Sequence, residues 1–153
     1  MRSSFVLVAF LLLTVGGGSL IGLLSLPGSW YEELAKPAFT PPNWIFGPAW
    51  TVLYVLIAIA GWRTWRGGRR SVAMHLWFLQ LAVNFSWSPV FFRWHRMELA
   101  LGVIVVLLIL ILAFVITLWR KDRGAALLFL PYAGWVAFAT ALNAALVALN
   151  RGG

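Results

Sequence analysis

Ten tryptophans, three tyrosines and a few scattered amides and hydroxyls are the side chains in this sequence best suited to hold a ligand. They fall into three stripes. Trp50, Tyr54 and Ile57 recur at i, i+4 and i+7, and Gln80, Asn84, Trp87, Ser88 and Phe91 lie along one face of a second stretch. Trp135, Phe138, Ala139 and Leu142 do the same in a third, with Tyr132 and Asn143 beside them. Trp and Tyr usually gather at membrane interfaces, yet Trp50, Trp87 and Trp135 fall inside apolar runs. A buried indole N–H needs an acceptor, which Asn84, Ser88 or Asn143 could supply. Two arrangements satisfy the pattern. One is an aromatic core closed by its own hydrogen bonds; the other is an apolar pocket with a few polar contacts, suited to a flat, conjugated ligand.

Other chemistries lack their residues. Cysteine is absent, which removes disulfides, thiolate nucleophiles and sulfur-ligated metals. Two separated histidines and four acids do not make a metal site, so no metal is expected. The serines of the second stripe have no base at helical spacing, so no catalytic residue is assigned and enzymatic acid–base chemistry is not expected. No charged residue lies deep inside an apolar run, and His75 sits near the edge of one, which argues against proton pumping and voltage sensing.

The stripes must be positioned by membrane helices. With 62% hydrophobic and 10% charged residues, the chain is too apolar for a water-soluble globule. Five apolar runs, 5–26, 44–65, 71–92, 97–119 and 125–149, can each cross a ~30 Å hydrocarbon core at about 1.5 Å per residue. The expected fold class is all-α: one domain over 1–153, a bundle of five transmembrane helices. The Met-Arg-Ser-Ser start imitates a signal peptide, but the run behind it is long for one and reads as a retained helix. Gly18 and Gly22 make a GxxxG spacing that would let another helix approach closely. The third run is interrupted by His75, Gln80, Asn84, Ser86 and Ser88, and Pro89 predicts a kink at its end. The fourth is nearly pure Leu, Ile and Val and reads as a lipid-facing scaffold.

Between the first two runs lies a connector, 27–43, rich in rigid and aromatic residues. Four of the seven prolines, Pro37, Pro41, Pro42 and Pro48, fall between Trp30 and Tyr54, and the segment 37–42 cannot be a helix interior. A flexible tether would instead read Gly/Ser. This one is expected to be a structured lid, with Glu32, Glu33 and Lys36 as solvated loop charges or as contacts for a partner protein.

The net charge of +8 is distributed in short clusters that flank the apolar runs, as in membrane proteins and unlike a nucleic-acid face. No nucleic-acid partner is expected. Eight basic residues fall on the N-terminal side of the bundle and four on the other. In a bacterial inner membrane this puts the N-terminus in the cytoplasm and the lid and C-terminus outside.

Three segments carry a family resemblance: W-Y-x-x-L-x-K-P-x-F-x-P-P-x-W-x-F-G-P-x-W-x-x-L-Y from Trp30 to Tyr54, N-x-x-W-S-x-x-F-F from Asn84 to Phe92, and P-Y-x-x-W-x-x-F-A-x-x-L-N from Pro131 to Asn143. Together they resemble the tryptophan-rich sensory protein family, TspO/MBR, which includes the translocator proteins once called peripheral benzodiazepine receptors. The resemblance implies a five-helix bundle, commonly a homodimer, that binds porphyrins such as protoporphyrin IX without a covalent link. Some members also bind sterols and benzodiazepine-type ligands, and some reside in outer membranes. The pocket residues it implies are Tyr31, Pro41, Phe46, Trp50, Tyr54, Asn84, Trp87, Trp135, Phe138 and Ala139. It also implies control of tetrapyrrole levels or transport, or light-dependent porphyrin breakdown through Trp50 and Trp135. The animal sterol pattern, L/V-x-Y-x-K/R, is not matched, because Arg151 is present but no tyrosine follows Tyr132.

Overall fold

A computed structural model describes residues 2–151, with only the backbone at Arg2, so the Arg2 charge counted above lies on a side chain outside those described. Helix α1 covers 2–24 as Arg2–Leu11, a π-helical turn Leu12–Gly16, and Gly17–Leu24. Helix α2 is Gly28–Glu33 and α3 is Asn43–Gly67. Helix α4 is Val72–Ser88 continuing through a π-turn, Pro89–Arg93; α5 is Met97–Leu118. Helix α6 covers Arg123–Leu128 and Leu130–Asn150, jointed at Phe129.

The helix boundaries follow local chemistry. Ser71 caps α4 by accepting from the Met74 amide at 3.1 Å, and Asp122 caps α6 by accepting from Ala125 at 3.3 Å. The connector carries a helix of its own, which the proline count did not suggest: its prolines flank α2, and Gly28, at φ +62, lets the chain turn into it. Pro89 does not end α4. It opens the π-turn, where the Trp94 amide reaches back to the Pro89 carbonyl at 2.9 Å.

Among the described residues, four helices are long and apolar enough to cross a membrane: Ser3–Leu24, Asn43–Gly67, Met97–Leu118 and Arg123–Asn150. Helix α4 is not among them, which departs from the expected five. The physical reason is its polar content, of which Gln80 and Asn84 are buried against neighbouring helices. Around the bundle the order is α1, α4, α5, α6, α3. Large apolar side chains such as Phe5, Leu20, Val52, Ile109 and Ile116 stand exposed on its outside, as lipid contact requires. Helix α5 is not merely lipid-facing. Ile104, Leu107, Ile111 and Phe114 form a buried stripe that anchors the bundle.

Two packing clusters result. The larger surrounds Ile57, Trp77, Phe114, Phe129 and Tyr132; the smaller joins Tyr31 of the lid to Phe91, Ala100 and Leu146. The backbone of α3 packs closely on the first segment of α6 and meets the second mainly through side chains, Phe46 and Trp50 against Trp135. Above that joint the two helices diverge, and the space between them is the site described next.

Candidate functional site

A cavity of about 360 Å³ lies between the upper halves of α1, α3, α4, α5 and α6, beneath the lid. Of the ten residues singled out above, Tyr31, Phe46, Trp50, Tyr54, Asn84, Trp87, Trp135 and Ala139 line it. Pro41 and Phe138 do not. Phe138 turns toward the lid, with its ring 6.0 Å from Phe39, and backs Trp135 at 5.8 Å. Pro41 stays in the lid as a half-buried residue just ahead of α3.

The aromatic wall is continuous. Trp50 and Trp135 meet edge to face at 6.4 Å, Phe46 meets Trp135 at 5.9 Å, and Trp50 tilts onto Tyr54 at 5.5 Å. Each geometry is the edge or offset contact that ring quadrupoles favour. Below this wall runs a chain of buried hydrogen bonds. The Thr14 hydroxyl donates to the Tyr54 carbonyl at 2.8 Å, and the Tyr54 hydroxyl donates to Asn84 Oδ1 at 2.7 Å. Asn84 Nδ2 donates to the Tyr132 hydroxyl at 2.6 Å, which donates to Gln80 Oε1 at 2.8 Å. Gln80 Nε2 closes on the Trp77 carbonyl at 2.8 Å, and the Trp77 indole donates to the Ile57 carbonyl at 2.9 Å. Every polar atom named is paired, which fixes the floor of the cavity rigidly.

Indole acceptors differ from expectation in two of three cases. Asn143 does accept from Trp87 Nε1, at 3.0 Å, and its own amide donates to the Met97 carbonyl at 3.0 Å. Asn84 serves tyrosines instead, and Ser88 takes no indole. Trp135 Nε1 is buried with no hydrogen-bond partner among the described residues. Sequence reasoning missed Gly18, Ser25, Ile104, Leu107 and Leu146 as lining residues. Gly18 did carry a signal, the close approach of another helix, and the structure supplies that helix within the chain: a Cβ there would collide with the Tyr54 ring of α3.

The lid is tied down at several points. Tyr31 is buried against Phe91 and Phe92 at 6.4 and 5.5 Å, and that burial raises its phenol above the usual range. Trp30 stacks on His95 at 4.0 Å with planes 7° apart, and His95 adopts a left-handed φ of 56 to present its ring. Asn150 at the end of α6 holds both sides of one lid peptide, accepting from Ala35 N at 3.0 Å and donating to Ala35 O at 2.9 Å. Lys36 donates to the Glu32 and Leu34 carbonyls at 3.0 and 3.2 Å, whereas Glu32 and Glu33 are exposed.

Known proteins are similar to this chain in sequence. A model described as the TspO/MBR family matches residues 9–149. The chain is 43% identical over 124 residues to the tryptophan-rich protein TspO of Archaeoglobus fulgidus, covering 80% of each. It is 36% identical over 150 residues to the tryptophan-rich sensory protein of Cereibacter sphaeroides, covering 98% of this chain and 95% of that one. Likeness extends to the translocator protein of Homo sapiens, 34% identical over 128 residues, covering 80% of this chain and 76% of the relative. With a match that runs nearly from end to end and relatives this similar, the chain belongs to the TspO/MBR family of membrane proteins.

Proposed function

We propose that the cavity binds a flat tetrapyrrole of the protoporphyrin IX type, without a covalent link, and that the protein senses or moves this ligand within a membrane. One observation carries the reading: a partly open cavity of about 360 Å³ bordered by Trp50, Trp87 and Trp135 beneath a lid. Aromatic faces stack on a conjugated ring, and few polar groups interrupt them. Tyr31, Phe46, Trp50, Tyr54, Asn84, Trp87, Trp135 and Ala139 are the contacts; Phe138 supports Trp135 from behind, and Pro41 shapes the lid. Sterols and benzodiazepine-type compounds are alternative occupants of the same apolar walls.

In this reading α4 is the fifth span, its amides turned inward where they need no lipid contact. The N-terminus is cytoplasmic by charge bias, in a bacterial inner membrane, with an outer membrane the alternative that the family allows. Ala137, Ala141, Ala144 and Ala148 are exposed along one face of α6, and a homodimer forms there in place of the occupied Gly18. Titration of the protein in nanodiscs with protoporphyrin IX should give saturable tryptophan quenching that Trp50→Phe and Trp135→Phe weaken. Absence of saturation rejects the reading.

A second reading is favoured by the spacing of oxidisable rings, with Trp50 within 6.4 Å of Trp135, Tyr54 and Tyr132. Such a cluster supports light-dependent porphyrin breakdown in the same cavity. Illumination of the loaded protein would then yield a new absorbing product, lost in Trp50→Phe while binding persists. No product on illumination leaves a plain binding protein.

A further inference from the structure

Three buried side-chain nitrogen or oxygen atoms lack a hydrogen bond among the described residues: Ser25 Oγ, Trp65 Nε1 and Trp135 Nε1. Trp65 lies away from the cavity, packed on Phe10 with Arg69 over its ring. The other two atoms belong to residues of the cavity wall, Ser25 and Trp135. Ser25 is the more informative. It is 5% exposed, at the end of α1, and no property of the stripes draws attention to it.

Its isolation has a backbone cause. Hydroxyls in apolar helices normally satisfy themselves on the carbonyl four residues back. Thr51, Thr64, Thr117 and Thr140 all do so here, at 2.7 to 2.9 Å. Ser25 stands one residue beyond the end of α1, with φ −132 and ψ 48, so its Oγ has left that carbonyl behind. Its backbone amide still bonds to the Gly22 carbonyl at 3.3 Å, but the hydroxyl is committed to nothing. A buried hydroxyl without a partner is a destabilising feature that native folds avoid unless something else fills the gap.

The chemistry of that something is constrained by its surroundings. No Asp, Glu, Lys, Arg or His is among the described residues that line the cavity. An ionised carboxylate pressed against Ser25 would be buried without a counter-charge, which is costly. We propose that Ser25 is a ligand-binding residue whose hydroxyl donates to an uncharged acceptor (a carbonyl, an ester or a protonated acid) on the rim of the bound ring. The proposal rests on the reading of the cavity as a tetrapyrrole site and narrows it: the ligand edge at Ser25 is polar but neutral, and ionised side chains point away from it.

The test compares three porphyrins on the full chain in nanodiscs, by tryptophan quenching: protoporphyrin IX dimethyl ester, protoporphyrin IX as the free acid, and an etioporphyrin with alkyl substituents only. Ser25→Ala should weaken the ester about tenfold, the worth of one hydrogen bond, and leave the etioporphyrin unchanged. Ser25→Thr should retain ester binding. Empty Ser25→Ala should melt no lower than the unaltered protein, since the hydroxyl bonds to nothing in the fold. An equal loss for all three porphyrins, no loss for the ester, or a lower melting temperature of the empty variant would each overturn the assignment. Failure of the unaltered protein to bind any of the three would instead overturn the tetrapyrrole reading, and this inference with it.

Discussion

Gly18 of α1 lies flat against the ring of Tyr54 on α3, closer than any residue with a side chain could. The contact sets how near the two helices come and holds Tyr54 where its hydroxyl reaches Asn84 at 2.7 Å. Gly18→Ala should therefore displace the ring and cost about 1–3 kcal/mol, as overpacking does. A melting temperature in detergent equal to that of the unaltered protein would show that the ring yields freely.

Tyr132 joins Asn84 to Gln80 but does not line the cavity. Tyr132→Phe leaves the Asn84 amide and the Gln80 carbonyl each short of a partner, at about 1–3 kcal/mol per orphaned group. Stability should fall while porphyrin affinity changes much less. Denaturant unfolding and ligand titration on one preparation separate the two effects; an affinity loss without a stability loss would place Tyr132 in direct contact with ligand.

Asn150 clasps the lid through the Ala35 peptide. Asn150→Ala should free the segment around Ala35 without unfolding the bundle. Faster hydrogen exchange at 34–36 and faster ligand release are expected, with melting nearly unchanged. Unaltered exchange would show that Tyr31 and Trp30 hold the lid alone.

Asp122 both caps α6 and pairs with Arg63 at 2.7 Å. The Arg63 hydrogen bond holds its carboxyl below the usual range. A depressed pKa stabilises the folded state above the ordinary carboxylate value, and that contribution disappears as pH falls through the folded value. Melting should be insensitive to this group from neutral pH down to about 4, and decline only below. Because the pair is partly exposed, Asp122→Asn, which keeps a cap, should cost under about 1 kcal/mol. Asp122→Ala, which loses the cap as well, should cost about 1 kcal/mol more.

Ala139 lines the cavity and is nearly buried. Ala139→Thr adds atoms to a volume of about 360 Å³ and crowds the divergence of α3 and α6. Porphyrin and sterol affinities should fall several-fold, on the order of 1 kcal/mol or more. Unchanged quenching titrations would mean that the wall moves to accept it.

Much of the site was legible because helical period puts residues on a face, and the faces of α3, α4 and α6 carry visible contrast between aromatic and aliphatic positions. Trp50, Tyr54, Asn84, Trp87 and Trp135 converge for that reason. Helix α5 hid its share: a segment that is apolar all round has no contrast, so nothing marked Ile104 and Leu107 as inward-facing. The lid was legible only as rigid. Its own helix and the outward turn of Phe138 toward Phe39 depend on loop geometry, which periodicity does not describe. Gly18 illustrates a different limit. Its small size was plain, but a close approach within the chain and one between chains leave the same mark in the letters.

The π-turn at Leu12–Gly16 lies in the middle of α1, whereas the π-turn of α4 lies at its end. A wide turn accommodates one residue more than an α-helical path of the same phase needs. Leu12 and Leu13, 68% and 41% exposed, are therefore close to surplus. Loss of one of them would tighten the turn and leave Phe10, Gly18 and Ser25 facing as they do. Loss of a residue from 19–24 would instead swing Ser25 about 100° around the axis and out of the cavity wall. Indels in this helix are thus graded by position: forgiven at the wide turn, ruinous a turn and a half above it.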